Sequence, residues 1–122
     1  MISRLAALGA ALLAAATLTS SATGGSADVR MDVISATPRP PQAARQFELL
    51  ARVEFVPAPG SIRCSVRIGG TRYRNIRLTW DGSIARCFLR VPANARGKRL
   101  VVGLVASLSG SRVRTTMAFR VS

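Results

Sequence analysis

Past residue 27, apolar and polar residues alternate with a period of two, in short runs broken by glycine and proline. Val29, Met31 and Val33 are interleaved with Asp28, Arg30 and Asp32. Phe47, Leu49, Ala51, Val53 and Phe55 are interleaved with Glu48, Leu50, Arg52 and Glu54, and Ile62, Cys64, Val66 and Ile68 with Arg63, Ser65 and Arg67. Successive side chains of a strand point to opposite faces, so each run places one side on a core and the other in solvent. The same pattern predicts strands over 85–91, 100–106 and 113–121, with a middle strand over 72–80. No stretch after residue 27 sustains the spacing of an amphipathic helix.

The breaks between runs have their own chemistry. Pro38, Pro40 and Pro41 cannot donate ladder hydrogen bonds, so 37–42 is a connection, and VPAPGS ends the second run. Gly69 with Gly70, and Asp81 with Gly82, tolerate the positive φ of two-residue hairpin turns. Around Asp81 and Gly82 such a turn sets Trp80 against Ser83, Leu78 against Ala85 and Ile76 against Cys87, which makes the even-numbered residues inward. Around Gly69 and Gly70 it sets Val66 against Tyr73, which makes the odd ones inward. A one-residue slip reverses every side chain, so the middle strand must change phase near Arg74 and Asn75, by a bulge or by crossing between sheets.

The N-terminus reads differently. MISR supplies Arg4, LAALGAALLAAATL is an uncharged apolar run, and a small polar stretch follows. That is the layout of a secretory leader, a short helix cleaved after Ala22 or Ala27. The run is short of the ~20 apolar residues of a spanning helix, and no cysteine stands near the cleavage region to carry a lipid. The expectation is an exported protein with a leader over 1–27 and one small domain over 28–122.

Charge and chemistry narrow the function. The chain has 18 basic residues, 5 acids and no histidine, a net charge of +13. Lys98 is the sole lysine, a choice of arginine that GC-rich coding favours, although coding does not explain the scarcity of acids. A charge this far from zero concentrates anionic partners. Without histidine the usual general base and metal ligand are missing. Glu48 and Glu54 share a strand face but sit about 20 Å apart at ~3.3 Å per residue, too far for a glycosidase pair. Asp81 reads as turn chemistry. A serine paired with Lys98 has nothing to position it. The expectation is a non-catalytic protein with no cofactor and no metal.

The order of a Cys-bearing strand, a glycine hairpin, a second Cys-bearing strand and then VPANARGKRLVVGLVASLSGSRVRTTMAFRV resembles immunoglobulin-like modules of secreted and envelope proteins in GC-rich, actinobacterial-type bacteria. The resemblance implies an all-β, immunoglobulin-like sandwich of about seven antiparallel strands, with no shared catalytic residues. It also puts Cys64 and Cys87 on the third and fifth strands, in opposite sheets. Hairpin register leads the same way. In a flat sheet the two cysteines would lie roughly 10 Å apart, too far to bond, so a bond requires the chain to fold over at the phase change. An even cysteine count in an exported chain favours a structural disulfide. A catalytic or metal-binding pair, the alternative, lacks a CxxC and any further ligand.

If strands one, two and five form one sheet, its outer face carries Asp32, Glu48 and Glu54 beside Arg52, Arg86 and Arg90. The other sheet then presents Arg63, Arg67, Arg112, Arg114 and Arg120 around an apolar stripe of Val101, Gly103 and Val105, with no acid. Arginine stems can simply cover those valines; equally, their forked heads match carboxylate and phosphate. Arg72, Arg74 and Arg77 add charge near one edge. The functional expectation is a secreted, monomeric binding or structural module docking to an anionic cell-envelope polymer or an acidic protein through the arginine face. Nucleic acid is disfavoured because Trp80 and Tyr73 turn inward rather than offering stacking platforms. The alternative is an enzyme inhibitor or small-ligand binder acting through the VPAPGSI and 92–98 loops.

Overall fold

The computed structural model describes residues 27–122; the leader expected over 1–27 therefore falls, apart from Ala27, outside the described residues. Eight strands are described: β1 (Asp28–Thr37), β2 (Gln46–Val56), β3 (Ser61–Ile68), β4 (Thr71–Tyr73), β5 (Ile76–Trp80), β6 (Ile84–Arg90), β7 (Arg99–Leu108) and β8 (Ser111–Arg120). They form two antiparallel sheets, ordered β1-β2-β6-β5 and β4-β3-β7-β8. This is the strand order of an immunoglobulin-like sandwich, with a short extra strand beside β3.

The eighth strand comes from division of the middle one. Tyr73 pairs with Val66 in the second sheet, whereas Ile76 pairs with Leu89 in the first. The phase change near Arg74 and Asn75 is therefore a crossing between sheets. Inward side chains are odd before it and even after it because the chain has changed layers.

One turn differs from the sequence reading. Trp80 pairs with Ala85, Leu78 with Cys87 and Ile76 with Leu89, so four residues, 81–84, lie between the last pair of β5 and β6 rather than two. The Asp81 carboxylate decides this: Oδ1 accepts hydrogen bonds from the Ser83 and Ile84 backbone N–H groups, at 2.9 and 2.7 Å. A side chain that captures two N–H groups makes its own turn and displaces the backbone turn. The register moves by two residues, so the faces are unchanged. The Gly69–Gly70 turn is the two-residue type, with φ of 60° and 83°, and Ser109–Gly110 forms a second.

Alternation translates directly into a dry interior. Phe47, Leu49, Ala51 and Val53 of β2 face Leu100, Val102, Leu104 and Ala106 of β7, all fully buried. Phe47 meets Phe119 edge-to-face at 5.4 Å, a favourable aromatic arrangement. Cys64 and Cys87 are bonded across this interior, with their Cα atoms 6.3 Å apart. Packed sheets ordinarily stand about 10 Å apart, so the layers draw together on this side, where the chain crosses. Immunoglobulin domains of antibodies place their bond between the second and seventh of these strands; here β2 and β7 carry no cysteine and the bond joins β3 to β6. On the other side β1 packs against β8. Within β1 a register shift between Val33 and Ser35 leaves Ile34 exposed. Among the described residues, no helix is long and apolar enough to cross a membrane.

Candidate binding face

Pairing across the second sheet arranges its outward residues in rows. Arg67 pairs with Val101, which pairs with Ala118; Ser65 with Gly103 and Thr116; Arg63 with Val105 and Arg114; Ser61 with Ser107 and Arg112. Arg72 lies opposite Arg67 on β4, and Arg99 opposite Arg120 at the far end. The even residues of β3 and β7 pack inward, so all of these point away from the core. The face thus holds Arg63, Arg67, Arg112, Arg114 and Arg120 with Val101 and Val105 between them, as the alternation requires, plus Arg72 and Arg99.

Two of the five primary arginines are engaged locally. Arg120 donates to the Gly97 carbonyl at 2.7 Å and Arg67 to the Gly70 carbonyl at 3.2 Å. Arg63, Arg112 and Arg114 are exposed and form no ion pair among the described residues. The secondary group does not stay together. Arg72 extends the face, Arg74 lies in the crossing, and Arg77 is on β5 opposite Phe88, on the outer face of the other sheet. The crossing that divides the middle strand also divides these arginines.

The chain separates its charges by layer. None of the residues in β3, β4, β7 or β8 is acidic. All 5 acids of the chain belong to the first sheet: Asp28 and Asp32 on β1, Glu48 and Glu54 on β2, and Asp81 in the β5–β6 loop. There they have basic neighbours. Glu48 forms an ion pair with Arg86 at 2.8 Å, Asp28 pairs with Arg30 at 3.2 Å, Asp32 lies opposite Arg52, and Glu54 lies opposite Arg30. Such exposed pairs are worth only about 0–1 kcal/mol each, but they neutralise that face. The Asp81 carboxyl is held below its ordinary range, first by the Ile84 N–H and then by the Ser83 N–H.

The sequence places Gly103 in the outward stripe with Val101 and Val105, but the alternation does not reveal the hollow it leaves in the floor of the face. Gly103 sits mid-strand in β7 without positive φ, so no turn explains it. A Cβ there would stand 3.2 Å from Ser65 Oγ and 3.9 Å from Thr116 Oγ1. The missing side chain leaves a hollow of ≈ 230 Å³, bounded by those hydroxyls, Val101, Val105, Arg67 and Arg114. The signal was available: a glycine inside a strand pattern marks a bulge or a close approach.

The two loops considered for inhibition or ligand binding lie at opposite ends of the sandwich. The β2–β3 connection adjoins Ser107, at the end of β7, and the 92–98 loop adjoins Arg99, at its start. The latter is tied down by Gly97 N–H to Val121 O and Val121 N–H to Lys98 O, with Ala95 fully buried. Tyr73 also serves structure, donating its hydroxyl to the Arg90 carbonyl of the opposite sheet at 3.1 Å.

No protein-family model and no curated protein sequence matches the chain. Solved structures do. The chain is similar to titin Ig tandem domains at a TM-score of 0.53 and 12% identity, covering 80% of this chain and 49% of that one. It is also similar to a chimeric titin Z1Z2 functionalised with a peptide from decorin (TM-score 0.51, 12% identity, 76% of this chain and 97% of that one). A chimeric titin tandem carrying a fibronectin peptide gives 0.51 and 12%, over 92% of this chain and 55% of that one. The chain spans about half the length of the first of these. At such identity the likeness establishes the fold, an immunoglobulin-like sandwich, and indicates no catalytic family.

Proposed function

We propose that this protein is an exported, non-catalytic binding module whose β4-β3-β7-β8 face docks to an anionic polymer of the cell envelope. The observation that carries the reading is the separation of charge by layer: every acid is on one sheet, and the other carries arginines alone on its charged positions. Codon usage accounts for arginine on both faces but cannot sort acids to one side. An uncompensated cationic face attracts polyanions over a long range, and guanidinium forks match their oxyanions. The disulfide supports export, because such bonds persist in oxidising compartments.

The test compares two triple variants of equal net charge. Arg63, Arg112 and Arg114 are replaced by Gln in one, and Arg30, Arg52 and Arg77, on the other sheet, in the second. Retention on a heparin matrix and on isolated envelope material is measured against salt. The first variant should elute at clearly lower salt with a shallower salt dependence, and the second close to wild type. Equal losses in both would mean that net charge, not this face, governs binding.

A further inference from the structure

The hollow over Gly103 has a chemistry of its own. Ser65 and Thr116 pair directly with Gly103 from either side, and their hydroxyls lean over the space a Cβ would fill. Arg67 and Arg114 stand at diagonally opposite corners, one register step to each side along the strands. Two strand spacings and four residues set their Cα atoms roughly 16 Å apart. Cations at the two ends and hydroxyls in the middle form an ordered sequence, unlike a uniform positive surface. At ≈ 230 Å³ the hollow falls below the ~300 Å³ of pockets that engulf a small molecule. It suits one ring of a longer chain laid across the face.

We infer that the hollow is a subsite for a carboxylated polysaccharide in which acidic and neutral sugar units alternate, a neutral ring seated over Gly103 and the flanking carboxylates paired with Arg67 and Arg114. Arginine offers donors only, whereas the Ser65 and Thr116 oxygens can also accept. A neutral sugar ring supplies hydroxyl donors to those oxygens, and a phosphate chain does not. The valines on either side, Val101 and Val105, give the apolar faces of the ring a surface to rest on. This inference rests on the face being the docking surface, and names what it selects.

Gly103→Val fills the hollow and leaves every charge in place. The added Cβ meets a rotatable hydroxyl rather than backbone at its closest point, and valine favours a strand. Ser65→Ala with Thr116→Val removes the hydroxyls without filling the space. Binding is measured by titration calorimetry against hyaluronan oligosaccharides, which alternate carboxylated and neutral sugars, and against polyphosphate. The expected result is at least about a tenfold loss of hyaluronan affinity in both variants, a sum of lost hydrogen bonds and contact, with polyphosphate affinity unchanged. Unchanged hyaluronan affinity in Gly103→Val overturns the subsite, as does an equal loss for both polymers. The underlying docking reading fails separately, when the Arg63, Arg112 and Arg114 variant binds polyphosphate as wild type does.

Discussion

Removing the bond between Cys64 and Cys87 is the perturbation whose size follows most directly from the structure. The two residues are separated by 23 positions. On the chain-entropy relation, closing a loop of that length in the unfolded chain removes about 11 cal/mol/K, equivalent to about 3.4 kcal/mol at 25 °C. Alanine is the replacement of choice, because Cys87 is almost fully buried and serine would leave a hydroxyl there without a partner. The loss of two small sulfur atoms from the interior adds a lesser cavity cost of the same sign. For a domain of this size the total should lower the melting temperature by roughly 15–25 °C. Urea unfolding of the Cys64→Ala/Cys87→Ala variant, followed by fluorescence of Trp80, the sole tryptophan, measures the loss, and wild type unfolded in dithiothreitol gives an independent value. Trp80 reports well because it packs edge-to-face on Phe55 at 5.3 Å. A loss under about 1 kcal/mol in both experiments would refute the reasoning, since it would mean that the cross-link leaves the unfolded chain's entropy untouched.

Three further outcomes are expected. Phe47→Ala empties a fully buried site against Phe119 and should cost about 3–5 kcal/mol in urea unfolding; a cost near zero would deny that the sheets are packed there. Gly60→Ala should destabilise by about 1–3 kcal/mol, because its Cβ would run into the Ser107 carbonyl oxygen and stand 2.7 Å from the Phe55 ring; Gly103→Ala, whose closest neighbour is a rotatable hydroxyl, should be nearly neutral by the same melting assay. Asp81 has a folded pKa below its unfolded one, so its contribution to stability is full above the unfolded value and lost as pH falls through the folded one. Asp81→Asn should therefore be less stable than wild type at neutral pH and equal to it in strong acid, and a pH-independent difference in melting temperature would contradict the turn described.

Local patterning by itself determined which residues face the core. Alternation has a fixed period of two, so Phe47, Leu49, Val102 and Leu104 could be assigned inward, and Arg63 and Arg114 outward, before any partner strand was known. The same parity required a discontinuity near Arg74 and Asn75. What it could not decide was the nature of that discontinuity, because a bulge and a change of sheet give the same reversal of faces. Only the pairing of Tyr73 with Val66 and of Ile76 with Leu89 settles it, and with it the separation of Arg77 from Arg72. The β5–β6 turn escaped for a related reason: Asp81 and Gly82 suit both a two-residue turn and one built on the Asp81 carboxylate, and only the pairing of Trp80 with Ala85 decides between them. The hollow over Gly103 exists only because Ser65 and Thr116 come opposite it from strands distant in the chain. A period along one strand fixes what each residue faces, while register between strands fixes what stands beside it, and a binding surface is made of neighbours.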